Sequence, residues 1–395
     1  MKFLFVNTLY YPNHLGGAEV SVQLLCEALH KRGHSVYVIS LADKRKVTRH
    51  NGVVCIYLPF KNIYPVTRPS SNKWLKAFWH VIDTFNPGYY ITVRRLLKRI
   101  KPQVINTNNM QGFSLFTWRA LANKEAVLLH TMRDYYILCH RTTLYKNGCQ
   151  CGQLCMSCSS SFSVKKRFSN LPDAYIGISN HILNKHLQYS IGAGKKTAVM
   201  PNIIEAHTGT ENVQTPDAGN IRIGFIGRLT PEKGVPFMLE ELSKLKQTNY
   251  TLILAGAYDA HYREMLLLRY PLKGKVVFMG KAAPEAFYNS IDLVVVPSAW
   301  EEPFGRVAIE ALSYNKPVCI ADKGGLSDLY EPDCMWQFMM RNGSLTALLD
   351  DILQRPGSIT AKAIQCSRFL YKYNEETVAL RFLATAQQTI KIKAR

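Results

Sequence analysis

Glu302 and Glu310 stand eight positions apart in the segment Pro297-Ser298-Ala299-Trp300-Glu301-Glu302-Pro303-Phe304-Gly305-Arg306-Val307-Ala308-Ile309-Glu310-Ala311. An apolar strand precedes it, and Gly305 is placed to open a helix that carries Glu310. A carboxylate accepts hydrogen bonds from two hydroxyls at once, which suits the vicinal diols of sugars and riboses. The amides at a helix start favour an anion. The same spacing also fits a capping acid followed by a solvated helix Glu. A second group lies upstream in Gly227-Arg228-Leu229-Thr230-Pro231-Glu232-Lys233-Gly234. Arg228 follows an apolar run and so falls at the carboxyl edge of a strand, with Lys233 five residues on. A guanidinium and an ammonium together can hold a diphosphate and stabilise the negative charge that builds on it as a leaving group. No Asp-x-Asp pair is placed to hold a catalytic metal. Two fixed cations and helix amides are expected to replace one.

In the first part of the chain, Gly16-Gly17 follow the first apolar run by about nine residues. A nicotinamide-binding fold wants Gly-x-Gly-x-x-Gly directly at the strand end. That fingerprint is absent, which argues against a dehydrogenase. A glycine pair instead permits close approach of backbone to a phosphate or a sugar.

These segments, in this order, resemble family 4 of the retaining glycosyltransferases, and the resemblance spans nearly the whole chain. It implies that Glu302 lies near the donor hexose, that Glu310 binds the nucleotide ribose, and that Arg228 and Lys233 hold the donor diphosphate. Gly227, Pro303, Phe304 and Gly305 then belong to the donor site. Gly16-Gly17-Ala18-Glu19 is similar to the family's Gly-rich loop. Gly324-Gly325-Leu326-Ser327-Asp328 is similar to its Gly-Gly-x-x-Glu segment, with Asp in place of Glu. Many relatives carry His-Asp where this chain has Arg133-Asp134, so these two are expected as cleft residues on the acceptor side. His130, three residues earlier, is expected in the core. Retention can proceed by front-face attack, the departing phosphate taking the acceptor proton.

Cys149, Cys151, Cys155 and Cys158 are closely spaced, with Cys139 ten residues upstream. Four or five thiols this close suggest a structural zinc knuckle or a group of reduced thiols. The resemblance favours Cys139, Cys151, Cys155 and Cys158 as ligands, with Cys149 as the alternate. The charge is equally uneven. Residues 1–200 carry 27 Lys and Arg against 7 Asp and Glu, while residues 201–395 carry 22 against 21. The first half is built to meet an anion. Between Lys61 and Lys101 there are nine basic residues and one acid, Asp83. Trp74, Phe78 and Trp79 are interleaved with Lys73, Lys76 and His80 there. This pattern suits an anionic membrane surface. No recognised nucleic-acid fold accompanies it, so nucleic acid is not the expected partner.

The elements that must position these residues follow from hydrophobic patterning. Near-continuous apolar runs at 3–7, 35–40, 53–58, 104–107, 126–131 and 174–179 read as strands buried on both faces. The style restarts at 221–227, 251–256, 276–280, 293–297 and 317–321. Helical patterns intervene at 17–32 and 236–245, with a last one at 375–393. Strand and helix in alternation predict an α/β fold. The expectation is GT-B: two Rossmann-like, doubly wound domains facing across a cleft. Residues 1–200 form the acceptor-binding domain, with the basic-aromatic patch and a Cys-rich insertion at 139–158. Residues 201–372 form the nucleotide-sugar domain. Residues 373–395 form a helix that packs back on the first domain. A polar linker is expected near 205–220. No run of about 18 apolar residues suggests a membrane span, and the N-terminal apolar stretch is too short for a signal peptide. The expected protein is therefore a cytoplasmic enzyme, peripheral at the inner face of the plasma membrane. It would move a sugar from a nucleoside-diphosphate sugar to a glycan or polyprenyl-diphosphate-linked acceptor in surface polysaccharide synthesis. A sugar-nucleotide epimerase or hydrolase, and a non-catalytic anion-binding protein on the same fold, are the competing expectations.

Overall fold

The computed structural model describes residues 1–14, 16–205, 213 and 215–394. The strands, in chain order, begin with β1 (Lys2–Val6), β2 (Ser35–Ala42), β3 (Lys46–His50), β4 (Val53–Pro59), β5 (Val104–Thr107) and β6 (Val127–Met132). They continue with β7 (Tyr145–Lys146), β8 (Cys149–Gln150), β9 (Ala174–Gly177) and β10 (Lys196–Val199). The second half supplies β11 (Ile221–Ile226), β12 (Tyr250–Ala255), β13 (Lys275–Gly280), β14 (Leu293–Val296), β15 (Val318–Ala321) and β16 (Met335–Phe338).

The chain divides into two compact units. The first comprises Met1–Leu144, Cys151–Ile203 and the C-terminal helix, and the second Tyr145–Gln150 with Ile204–Asn374. The boundaries expected at 200 and 372 thus shift by a few residues. The tip of the Cys-rich insertion leaves the first unit altogether, because the short hairpin of β7 and β8 packs with the second. Half of the polar linker expected near 205–220, residues 206–212 and 214, lies outside the described residues.

The first unit is built on an eight-stranded sheet in the order β10-β9-β6-β5-β1-β2-β4-β3, parallel except for the β3–β4 pair. Strands such as β5 and β6 are buried at every residue, as strands covered on both faces must be. Strand order reverses between β1 and β5, which pair in parallel. The carboxyl ends of those two strands therefore open the crevice where ligands of such sheets bind. The helix Glu375–Lys393 belongs to this unit, as expected. Its Phe382 ring lies 5.9 Å from Phe3 and 5.6 Å from Phe5. Lys393 Nζ sits 2.8 Å from Asp173, and Lys31 Nζ 2.9 Å from Glu375.

The second unit has a six-stranded, all-parallel sheet in the order β13-β12-β11-β14-β15-β16. Counted within the unit this is 3-2-1-4-5-6, the order of dinucleotide-binding sheets. Its reversal lies between β11 and β14. The loops after those two strands hold Arg228 and Glu302.

Candidate donor site

β11 runs into Gly227, whose amide donates to Ala255 O at 2.9 Å. The chain then turns through a 3-10 turn, Pro231–Lys233, into the helix Val235–Ser243. Gly234 sits at φ 75°, and a Cβ there would overlap the carbonyl oxygen of Pro297. The loop after β11 therefore lies directly on the loop after β14. Ala299 N and Trp300 N bind the Glu232 carbonyl at 3.0 and 3.2 Å, which ties the two loops together.

At that junction Lys233 Nζ lies 2.7 Å from Glu302 Oε1. Ser298 donates its hydroxyl to the same oxygen, and the ammonium stands 5.5 Å over the Trp300 ring. Glu302 is buried. Burial alone would raise its carboxyl, but the Lys233 charge and hydrogen bond, with those of Ser298 and Trp300, outweigh it and hold the group below its ordinary value. The carboxylate is thus ionised and pinned, rather than capping a helix. Its backbone is fixed by the glycine pair 324–325: Gly325 N donates to Glu302 O at 2.6 Å, and a Cβ on Gly325 would overlap the Pro303 carbonyl.

Gly305 opens the helix Arg306–Ser313 from the left-handed region at φ 102°. Pro303 and Phe304 are buried, Phe304 packing edge-on to Tyr373. Glu310, half-buried, accepts from Arg306 Nε at 2.5 Å. Arg228 is 67% exposed and loosely paired with Glu232 at 3.6 Å. Its guanidinium is available to an incoming anion at little cost. Asp328 is exposed beyond the glycine pair. Two contributors were not anticipated from sequence. Arg306 follows from the i,i+4 pattern with Glu310. Gln150, from the β7–β8 hairpin, donates to Glu301 Oε2 at 3.3 Å and accepts from Glu301 N at 2.9 Å. No sequence signal links positions 151 apart.

The first unit assembles a polar group at its own strand reversal. Arg133, at the end of β6, is buried; its Nε donates to Asn108 Oδ1 at 2.8 Å and its Nη1 to Asn202 Oδ1. Gly16 caps the helix Gly17–Lys31, and its amide donates 3.0 Å to Glu19 Oε2. The glycine pair therefore meets the chain's own carboxylate. Gly16 is extended, at φ −165°, so it is not chosen for backbone freedom. Glu19 was missed, although Gly-x-x-Glu is the spacing of a capping box. Burial raises its carboxyl against the pull of the Gly16 amide and the Arg133 charge. Burial likewise pushes Asp134 up to about 6, the Tyr136 amide and Lys165 opposing and Glu19 and Asp83 assisting.

His130 lies in the core, bonded to Thr107 Oγ1 at 2.9 Å and edge-on to Trp118. Burial, aided by the His186 and Arg133 charges, pushes it down to about 3. Its folded value sits below the unfolded one of 6.5, so the stability it contributes is complete above pH 6.5 and lost as pH falls toward 3. The apparent Tm is expected to fall by at least about 5 °C between pH 7 and pH 4, and less in His130→Gln, as differential scanning calorimetry across that range will read.

Of the thiols that the resemblance implied as zinc ligands, Cys139 and Cys158 meet. Cys139 Sγ and Cys158 Sγ are 3.4 Å apart, with His140 Nδ1 3.4 Å from Cys158. Cys149 is exposed on the hairpin that belongs to the second unit. Among the described residues no three His, Cys, Asp or Glu side chains are arranged to hold one metal ion.

Comparison with known proteins settles the family. Residues 15–207 match the family model "Glycosyltransferase Family 4", and residues 220–355 match "Glycosyl transferases group 1". A Klebsiella pneumoniae protein described as an uncharacterized 42.6 kDa protein in the cps region is 36% identical, over 83% of this chain and 87% of that one. The chain belongs to glycosyltransferase family 4. Among solved structures, sucrose-phosphate synthase from Thermosynechococcus elongatus superposes on this glycosyltransferase with a TM-score of 0.76 at 19% identity, covering 99% of each chain. Anabaena HepE in complex with UDP-glucose gives 0.70 at 18% identity, over 98% of this chain and 100% of that one. The glycosyltransferase thus has the GT-B fold, with one Rossmann-like sheet in each unit.

Proposed function

We propose that this glycosyltransferase moves a sugar, with retention of configuration, from a nucleoside-diphosphate sugar to a glycan or lipid-linked acceptor in surface polysaccharide synthesis. The observation that carries the reading is the contact between Lys233 and Glu302 at the strand reversal of the second unit. In the proposed complex, Glu302 accepts from hydroxyls of the donor sugar and Glu310 from the ribose. Arg228 and Lys233 bind the diphosphate. As the anomeric C–O bond breaks, electrons pass to the diphosphate oxygen, and the two cations stabilise that charge. The acceptor oxygen attacks from the same face and its proton passes to the departing phosphate. Arg133 and Asp134 bind the acceptor. No metal is proposed for the transfer itself, because the fixed cations perform the Lewis-acid role. The uridine-sugar complex of HepE and the cps-region relative support a nucleotide-sugar donor and a polysaccharide product. No helix among the described residues is long and apolar enough to cross a membrane. Its proposed station is peripheral, at the cytoplasmic face of the plasma membrane.

Thermal shift against UDP-, GDP- and ADP-sugars tests the donor reading, because a ligand of the native state raises the melting point with its affinity. One of the three series is expected to stabilise the protein; no response to any would overturn it. Glu310→Ala is expected to weaken donor binding by about 10- to 100-fold, the worth of charged hydrogen bonds, as isothermal titration will read. Arg228→Ala is expected to lower kcat/KM by about 10²-fold with an unchanged melting point, since the side chain is exposed. Release of free sugar at the same rate with and without acceptor would favour a hydrolase.

A further inference from the structure

The helix Lys73–Thr84 faces the wrong way for a surface helix of a water-bathed protein. Only two of its residues are buried, Trp79 and Asp83. Trp79 donates its ring N–H to Tyr64 O at 2.8 Å, and Asp83 accepts from Gly112 N at 2.5 Å. The helix is anchored by these polar contacts, while its apolar stripe points outward. Trp74 is 82% exposed, Phe78 66% and Val81 69%. These positions recur at four- and three-residue steps and so share one face. Leu75 and Phe85 extend it. Asn72 caps the start through Trp74 N at 2.9 Å, which holds the most exposed turn in helical form.

The surroundings are cationic. From Phe85 a ring contact of 4.8 Å leads to Phe116, and one of 5.9 Å from Phe116 to Tyr90, whose hydroxyl accepts from Arg94 at 3.0 Å. The apolar helix is thereby continuous with the helix Tyr90–Ile100. There Arg94, Arg95, Lys98 and Arg99 are all exposed while Val93, Leu96, Leu97 and Ile100 are buried. From Lys44 to Pro172 the chain holds 21 Lys and Arg against three acids, Asp83, Glu125 and Asp134. Asp83, the one acid on the outward helix, is turned inside.

Exposed aromatic and branched side chains with a cationic margin are complementary to a bilayer interface of negative charge. Trp79, which the sequence grouped with Trp74 and Phe78, is not part of this face. We propose that the helix Lys73–Thr84 inserts its Trp74–Phe78–Val81 face among the lipids of an anionic bilayer, with the arginines and Lys98 of Tyr90–Ile100 on the headgroups. This deepens the peripheral-membrane part of the function proposed above, and does not depend on the transfer chemistry.

The test is partition of the full chain onto vesicles of phosphatidylcholine alone and of phosphatidylcholine with 30% phosphatidylglycerol. Binding is expected only to the second, with Trp74 emission shifted to the blue and quenched by brominated lipid. It is expected to persist in part at 0.5 M NaCl, because apolar insertion is not screened as charge contacts are. Trp74→Ser with Phe78→Ser should lower partition by about 10²-fold. Arg95→Gln with Arg99→Gln should lower it by about 30-fold, at roughly a factor of five per charge. Equal binding to both vesicles, unchanged partition in the Ser double variant, or no response of Trp74 would overturn the proposal. So would a self-associating protein that the Ser variant renders monomeric, or an RNA complex with a steep salt slope and no vesicle binding. Nucleotide-sugar thermal shift on the same variants should match the parent; a failure there in the parent itself would count against the transferase reading alone.

Discussion

Lys233→Ala is expected to lower kcat by about 10²- to 10³-fold, the effect of removing one preorganised donor to a developing negative charge. Substrate KM should move less, because the charge on the diphosphate grows as the bond breaks. The same change should cost about 2–3 kcal/mol of stability, at or below the lower end for breaking a buried ion pair, since the Lys233 side chain keeps partial access to water. The pH dependence separates this cost from a simple loss of packing. In the parent, Glu302 is held below its ordinary 4.5. Its stability contribution is therefore present above that value and lost as pH falls through the folded one. Without Lys233, burial dominates and the carboxyl rises above its unfolded value. The contribution is then present in acid and lost as pH rises. The gap in melting temperature between parent and variant should widen from pH 4 to pH 8. Adding Glu302→Gln to Lys233→Ala should close most of that gap without restoring turnover. A double variant as unstable at pH 8 as the single one would show that the ion pair is not what holds this junction.

Gly234→Ala is expected to be among the most damaging single methyl groups in the second unit. The residue must occupy φ 75°, and its Cβ would overlap the Pro297 carbonyl oxygen. A left-handed non-glycine residue costs about 1–3 kcal/mol by itself, and the backbone clash adds to it. An apparent Tm drop of about 6 °C or more follows. Because the clash pushes apart the two loops that bring Lys233 to Glu302, turnover should fall even below the melting temperature. Gly280→Ala is the control. It too has positive φ, at 65°, but a Cβ there meets nothing within 4 Å, so it should lose stability without losing activity. Equal losses of turnover in both would remove the argument from close approach.

Much of this was legible in sequence. The central strands are apolar runs with few alternatives, because a strand covered on both faces cannot tolerate charge. The elements that escaped notice are those for which that reasoning does not hold. β3, Lys46-Val47-Thr48-Arg49-His50, is a polar, mostly exposed edge strand whose pairing comes from its neighbour β4. β10 alternates half-buried and exposed residues at the opposite edge. The two-residue strands of the β7–β8 hairpin have too few residues to show any period.

The site divides in the same manner. Sequence by itself determined which residue types the donor loops offer: two cations after β11, two carboxylates after β14, and the glycines between. Local rules of strand ends and helix starts place such residues at a sheet's carboxyl edge. Only the tertiary structure decided which of them meet. It joined Lys233 to Glu302 and held Arg133 between Asn108 and Asn202, whereas the pairs Arg306–Glu310 and Gly16–Glu19 follow local spacing. It also turned the apolar stripe of Lys73–Thr84 outward. The physical reason is range. Periodicity and capping act over a few residues along the chain, whereas the pairing of charges and the facing of a helix are set by strand order and backbone contact between segments dozens to hundreds of positions apart.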